Sequence, residues 1–144
     1  RDYIIKKKGW KLDKTIKKYQ NITYEDGSKN FNWYLKNSKI FICLNNSTTY
    51  LQLLSSNYPT LISFDDDKDI YNKAAYIMLQ KLKKVKIFHN NLDTLEKHLN
   101  DIYYKDIDTW WNSAKVQAAK NNFVKQYANH KFSISTLNKT LKIK

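Results

Sequence analysis

"LNNSTTYLQLLSSNYPTL", residues 44–61, decides how this chain is read. It begins where an apolar run, Ile40–Leu44 ("IFICL"), stops at two asparagines and three hydroxyl residues. Tyr50, Leu51 and Leu54 then recur at helical spacing over Thr48–Ser55, and Pro59 opens a second apolar run, Thr60–Phe64 ("TLISF"). Strand, polar turn, helix and strand in this order is the unit of a parallel sheet, because parallel strands need a crossover. A helix starting near Ser47 or Thr48 leaves up to four backbone N–H groups without partners. Two readings follow. A side-chain oxygen of Ser47 or Thr48 caps its own helix, worth about 1 kcal/mol. Alternatively, the N–H groups, the helix dipole and the hydroxyls hold a ligand's phosphate. The stretch has neither the glycines of GxGxxG nor the GK[ST] of a P-loop.

Working outward, Val85–Phe88 ("VKIF") reads as a third strand and Ile22–Tyr24 as a weaker one, closed by the turn signal "EDGS" at Glu25–Ser28. Helical patterns cover Leu12–Tyr19 and Phe31–Asn37, the latter with Phe31, Tyr34 and Leu35 on one side. Ile70–Lys83 sets Ile70, Ala74, Ile77, Met78 and Leu82 on one stripe, and Leu92–Tyr103 does so with Leu92, Leu95, Leu99 and Ile102. Ser113–Ala128 repeats Val116, Ala119, Phe123 and Tyr127, with Asp108 or Thr109 as a cap before it. The basic tail, Lys131–Lys144, fits a strand, a helix or disorder. The alternation predicts an α/β fold, a parallel sheet with helices on both faces, and strands Ile40–Leu44 and Thr60–Phe64 covered on both sides.

With 144 residues, 42% apolar and 15% aromatic, the chain is long enough for one domain with a real core, and its composition is not that of a disordered chain. No apolar run approaches the roughly 18 residues of a membrane span. "RDYIIKKKGW" lacks the apolar core of a signal peptide, and a start at Arg rather than Met reads as an excised fragment. The single cysteine, Cys43, allows no internal disulfide and reads as a buried cytosolic thiol. The net charge of +13 suggests an anionic partner. Yet Arg1 is the only arginine, and the abundance of Lys, Asn, Ile and Tyr equally suits a genome biased toward A and T. A nucleic-acid reader usually recruits Arg for its bidentate fork, so nucleic acid is not the expected partner.

Other candidate chemistry is thinner. "FDDDKD", Phe64–Asp69, sets four carboxylates after a strand, where they either cap the next helix or hold a metal or acid–base pair. His89, His98 and His130 show no zinc-ligand spacing; His89 follows a strand and points toward the ligand edge, while His98 on a helix face reads as solvated. Trp110 and Trp111 cannot share one helical face, so one packs in the core while the other covers a neighbouring element or a ligand.

"NNSTTYLQLLSSNYPTLISF" resembles the N-S-T-T-x-L-E-A-L-x-x-x-x-P-T motif of transferases encoded in bacterial surface-carbohydrate gene clusters. "KLKKVKIFHNN" followed by "DIDTWWNSAKVQAAKNNFVKQYA" is similar to that family's "VGIFH" and "WWNSPEVQEAR…F…YA", and "RDYIIKKKGW" to a degenerate "R-x-Y…D-Y-G-W". The resemblance runs from Arg1 to about Ala128. It implies the C-terminal half of a GT-B type glycosyltransferase. On that reading residues 1–104 form a Rossmann-like domain for a nucleotide-sugar donor, and residues 105–144 a helical extension packed on it. Carried over, Asn46, Ser47, Thr48 and Thr49 match the phosphate-facing motif, Asn45 beside them is a further substrate-binding candidate, Gln52 stands where a ribose-reaching Glu is usual, and Arg1 matches a motif arginine that faces the donor phosphates. No cofactor or metal is implied. The acceptor, a glycan or lipid-linked sugar, and the catalytic base belong to a missing N-terminal domain, so the fragment alone is expected to be inactive. The implied place is cytoplasmic, peripheral at the inner face of the membrane. The residues alone also fit a lysine-rich nucleic-acid-binding or membrane-surface domain without catalysis.

Overall fold

The computed structural model describes residues 19–23, 28–66 and 69–128. The chain divides into two compact units, Arg1–Ser38 and Lys39–Lys144. In the first, helix α1 spans Phe31–Asn37, as its pattern predicts. The Asn30 side chain caps it by accepting from the Trp33 N–H at 2.9 Å, and the Lys29 ammonium sits 3.8 Å from the Trp33 ring centroid. Ile22 and Thr23 form no strand. The helix expected over Leu12–Tyr19 lies, except for Tyr19, outside the described residues.

The second unit is α/β. Strands β1 (Phe41–Cys43), β2 (Thr60–Ser63) and β3 (Phe88–His89) make a three-stranded parallel sheet in the order β1-β2-β3. Cys43 is registered with Ile62, and Ile62 in turn with Phe88. Helix α2 (Thr48–Ser55) joins the first two strands and α3 (Lys73–Lys84) the last two; α4 (Leu92–Lys105), α5 (Ile107–Trp111) and α6 (Ala114–Tyr127) follow. These are successive βαβ units, consistent with a Rossmann-like topology.

Strand alternation sends Leu61 and Ile62 of the central strand to opposite faces, and both are fully buried. Leu61 packs with Leu95 and Ile102 of α4 and Ile107 of α5. On the Ile62 side its register partner Phe88 stacks on Phe64, with centroids 4.9 Å apart. Phe64 leans on Tyr50 of α2, and Tyr50 on Phe123 of α6. Helix α6 thus roofs α2 and α3.

Three expectations need correction. Of the two strands expected to be covered on both faces, β2 is and β1 is not: β1 is an edge strand, and Ile42 stays 41% exposed. The apolar stripe of α3 is rotated. The helix starts at Lys73, behind an Asn72 cap, and buries Met78, Leu79 and Leu82, while Ile70 in the preceding turn and Ile77 are 67% and 46% exposed. The third strand begins at Phe88 rather than Val85, because α3 runs to Lys84 and closes through a turn.

That turn repeats at both crossover helices. After α2, the N–H of Asn57 bonds to the Leu54 carbonyl and that of Tyr58 to the Leu53 carbonyl; after α3, Lys86 bonds to Lys83 and Ile87 to Leu82. Both are Schellman closures, and the residue each needs in the left-handed region is Asn57 (φ 54°) in one and Lys86 (φ 61°) in the other. The tryptophan pair binds both corners. The Trp111 indole N–H donates to the Asn57 carbonyl at 3.1 Å, and the Trp110 indole N–H to the Val85 carbonyl at 3.3 Å. Trp111 is 2% exposed. The Gln117 side chain donates to the Trp111 carbonyl at 2.8 Å, and the Lys120 ammonium donates to Asn57 Oδ1. Lys120 is 5% exposed, and burial lowers its pKa. The cap of α5 is Asp106, which accepts from the N–H groups of Asp108 and Thr109, and the N-cap of α6 is Ser113, so neither Asp108 nor Thr109 is the expected cap.

Trp111→Ala is expected to cost about 3–5 kcal/mol in denaturant unfolding, and Trp110→Phe, which keeps most of the ring, about 1 kcal/mol. Equal, small losses at both positions would refute the paired latch.

Candidate functional site

The carboxyl ends of the three strands lead into residues 44–47, 64–66 and 90–91, and α2 starts from the first of these. Ser47 is its N-cap, with extended backbone (φ −113°, ψ 166°), yet the Ser47 side chain makes no capping hydrogen bond. The caps of α3, α4 and α5 behave differently: Asn72, Asn91 and Asp106 each accept from a first-turn N–H. Of the two readings of Ser47, a self-capping serine is therefore not what the structure shows. Thr48 is exposed, Thr49 half-buried, and Gln52, one turn beyond Thr48, is exposed. The Asn45 carbonyl accepts from the Ser47 N–H at 3.0 Å, which turns the chain into the helix.

Asn46 is committed to its neighbours. Its amide donates to the Tyr71 hydroxyl at 3.3 Å, and its Oδ1 accepts from the Tyr50 hydroxyl at 3.1 Å. Tyr71 in turn donates to the Asp65 carbonyl. Burial pushes the Tyr50 phenol up, and the charges of Tyr71 and Cys43 add to this. These side chains, with Leu51, Phe123 and Tyr127, line a hollow of about 150 Å³ beside α2. Asn46 thus fixes the loop ahead of α2 to the loop after β2. Arg1 lies outside the described residues.

In the acidic run, Asp66 Oδ2 accepts from Gln80 Nε2 at 3.1 Å and from Lys83 Nζ at 3.0 Å. Burial pushes its carboxyl up, but those two hydrogen bonds and the Lys83 charge hold it below the usual carboxylate range. Asp66 therefore anchors α3 to the end of β2. Among the described residues, no group of three His, Cys, Asp or Glu side chains is placed to hold a metal ion. Cys43 is buried, which raises its thiol pKa.

The histidines exchange the roles read from sequence. His89 is 5% exposed and both ring nitrogens are engaged: Nε2 donates to the Lys86 carbonyl at 3.0 Å, leaving Nδ1 to face the Thr94 hydroxyl at 3.3 Å. His98, expected to be solvated, is 4% exposed, and neither of its ring nitrogens has a hydrogen-bond partner. It lies against His89 and the Trp110 ring, at centroid distances of 5.7 and 5.0 Å. The signal was present: Leu95, His98 and Ile102 are spaced three and four apart, on one helical stripe. Burial, then the charges of Lys86 and His89, lowers the His98 pKa to about 4, against a small opposing pull from Asp101.

A protein-family model described as LIC12162 family transferase matches residues 1–141. The chain belongs to this transferase family. No curated protein and no solved structure matches it. In this transferase no described helix is long and apolar enough to cross a membrane. The double-tryptophan segment bonds to the helix ends that precede β2 and β3, away from the N-terminus of α2.

Because His98 has a folded pKa of about 4 against an ordinary 6.5, the unfolded chain takes up a proton between those values that the folded chain refuses. Stability is expected to fall as pH drops through that window, by on the order of 3 kcal/mol, with His89 adding in the same direction. Urea unfolding of the parent and of His98→Leu from pH 7 to pH 4 checks this. The variant should lose clearly less stability than the parent; parallel curves would contradict it.

Proposed function

We propose that this transferase chain is the nucleotide-sugar donor-binding half of a GT-B type glycosyltransferase of bacterial surface polysaccharide synthesis. On this reading it works in the cytoplasm, peripherally at the inner face of the membrane, and a further N-terminal domain carries the glycan or lipid-linked acceptor and the catalytic base. Residues 1–104 serve as the donor domain and residues 105–144 as its helical extension.

The observation that carries the reading is the N-terminus of α2. It stands at the carboxyl end of a strand in a parallel sheet, where ligands of open α/β sheets bind, and the Ser47 side chain is not used to cap it. The first-turn N–H groups and the hydroxyls of Ser47, Thr48 and Thr49 offer converging donors to a diphosphate, supported by the helix dipole. Asn46 holds the loop in place through Tyr50 and Tyr71. Asn45 flanks the phosphates, Gln52 reaches toward the ribose from the exposed face, and Arg1 adds a cation to the phosphates. Charge that develops on the departing diphosphate is met by these donors, and no metal is required.

Calorimetric titration with CMP, UDP and GDP, in the presence and absence of EDTA, is expected to give one nucleotide that binds independently of metal. In Ser47→Ala/Thr48→Ala its affinity should fall roughly ten-fold or more, from the loss of hydrogen bonds to a charged group. Unchanged affinity in that variant would remove the site.

A further inference from the structure

A groove runs along the outer side of β3, between α4 and the corner that closes α3. One cavity of about 350 Å³ is lined by Lys83, Lys86, Asn90, Thr94, Lys97 and His98, with Phe88 as apolar floor and the Asp101 carboxylate also in the lining. A second, also about 350 Å³, shares Lys86, His98 and Asp101 and continues past Lys105 to Trp110. Each is within the size of small-molecule sites, about 300–1,000 Å³.

Three features of the groove point to a ligand. His98 is 4% exposed, lines both cavities and has two ring nitrogens without partners, and a bound acceptor would satisfy its N–H. The cations are uneven: Lys83 is paired with Asp66, but Lys86 and Lys97 form no ion pair with a described carboxylate. Finally, Lys86 stands in the left-handed region (φ 61°), where glycine is the usual residue. A lysine kept there at a conformational cost, with its side chain lining the groove, is explained by a job for that side chain.

We propose that this groove binds a phosphate group carried by a small molecule, at a place separate from the N-terminus of α2. Lys86 at the corner that closes α3 and Lys97 on α4 supply the cations, Asn90 and Thr94 add polar lining, and His98 supplies a buried N–H. This set suits the three terminal oxygens of a phosphate better than the two of a carboxylate. The inference does not rest on the donor-site reading above.

The test is NMR of the intact chain with labelled histidine and amides, titrated with inorganic phosphate against sodium chloride at equal ionic strength. Saturable shifts of the His98 ring nitrogens and of the Thr94 and Lys97 amides are expected with phosphate and not with chloride. Lys86→Ala/Lys97→Ala should weaken the effect roughly ten-fold or more, and Ser47→Ala/Thr48→Ala should leave it unchanged. Lys86→Gly supplies the fold control: its melting temperature should rise while phosphate affinity falls several-fold. Parallel titrations with a hexose 1-phosphate and with phosphatidate vesicles identify the source of the phosphate: tighter binding of the hexose phosphate supports the proposal, and tighter binding of the vesicles overturns its small-molecule ligand. Absence of saturable His98 shifts, shifts equal to those in chloride, or full persistence in the lysine variant would overturn the proposal. Loss of the shifts in the Ser47/Thr48 variant would overturn it too, because the phosphate would then sit at α2.

Discussion

Two indole N–H groups hold the α/β unit together at one end. Trp111 and Trp110 donate to the carbonyls at the turns that close α2 and α3. Each of those turns launches a strand: the chain passes from Asn57 into β2 and from Lys86 into β3. A two-residue edge strand contributes little pairing of its own, so its position depends on how firmly the preceding corner is fixed. The polar companions of the latch are consistent with this. Gln117 closes the end of the short helix that carries both tryptophans, and Lys120 reaches across to Asn57. With only two glycines in the chain, and neither at these corners, the left-handed positions are filled by Asn57 and Lys86 and stabilised from outside.

This arrangement gives the two ends of the strands different ties. The latch, the Leu61 cluster and the aromatic chain from Phe88 to Phe123 fix the sheet and its helices. At the opposite, carboxyl ends of the strands, side chains tie loop to loop: Asn46 to Tyr50 and Tyr71, and Asp66 to Gln80 and Lys83. The Ser47 side chain stands outside these ties. In the donor-site reading proposed above, a helix start held on a rigid sheet, with a serine that makes no capping bond, costs little reorganisation on binding an anion.

Much of the fold was legible because hydrophobic period and punctuation agreed. The helices at Phe31–Asn37 and Thr48–Ser55 have the limits their patterns predict, and apolar runs on either side of a polar helix start announced parallel strands. What the sequence hid depended on tertiary partners. Ile70, Ala74 and Ile77 continue a plausible stripe, but the turn before Asn72 sets the rotation of α3 and leaves Ile70 and Ile77 exposed. Val85 belongs to a closure whose left-handed residue is a lysine, which no turn signal marks. In the candidate site, the motif containing Asn46 was visible, but its bonds to Tyr50 and to Tyr71, 25 residues away, were not. His98 lies inside because its spacing from Leu95 and Ile102 sets it on the buried stripe, which outweighs the preference of a polar residue for water.

The most direct test of the donor-site reading is a two-dimensional amide NMR titration of this chain with CMP, UDP and GDP, repeated with a magnesium chelator. The reading predicts shifts centred on residues 45–52 and the adjoining loop ends for one nucleotide, unchanged by the chelator. No shift in that segment at millimolar concentrations of any of the three would contradict it and return the start of α2 to an ordinary helix end.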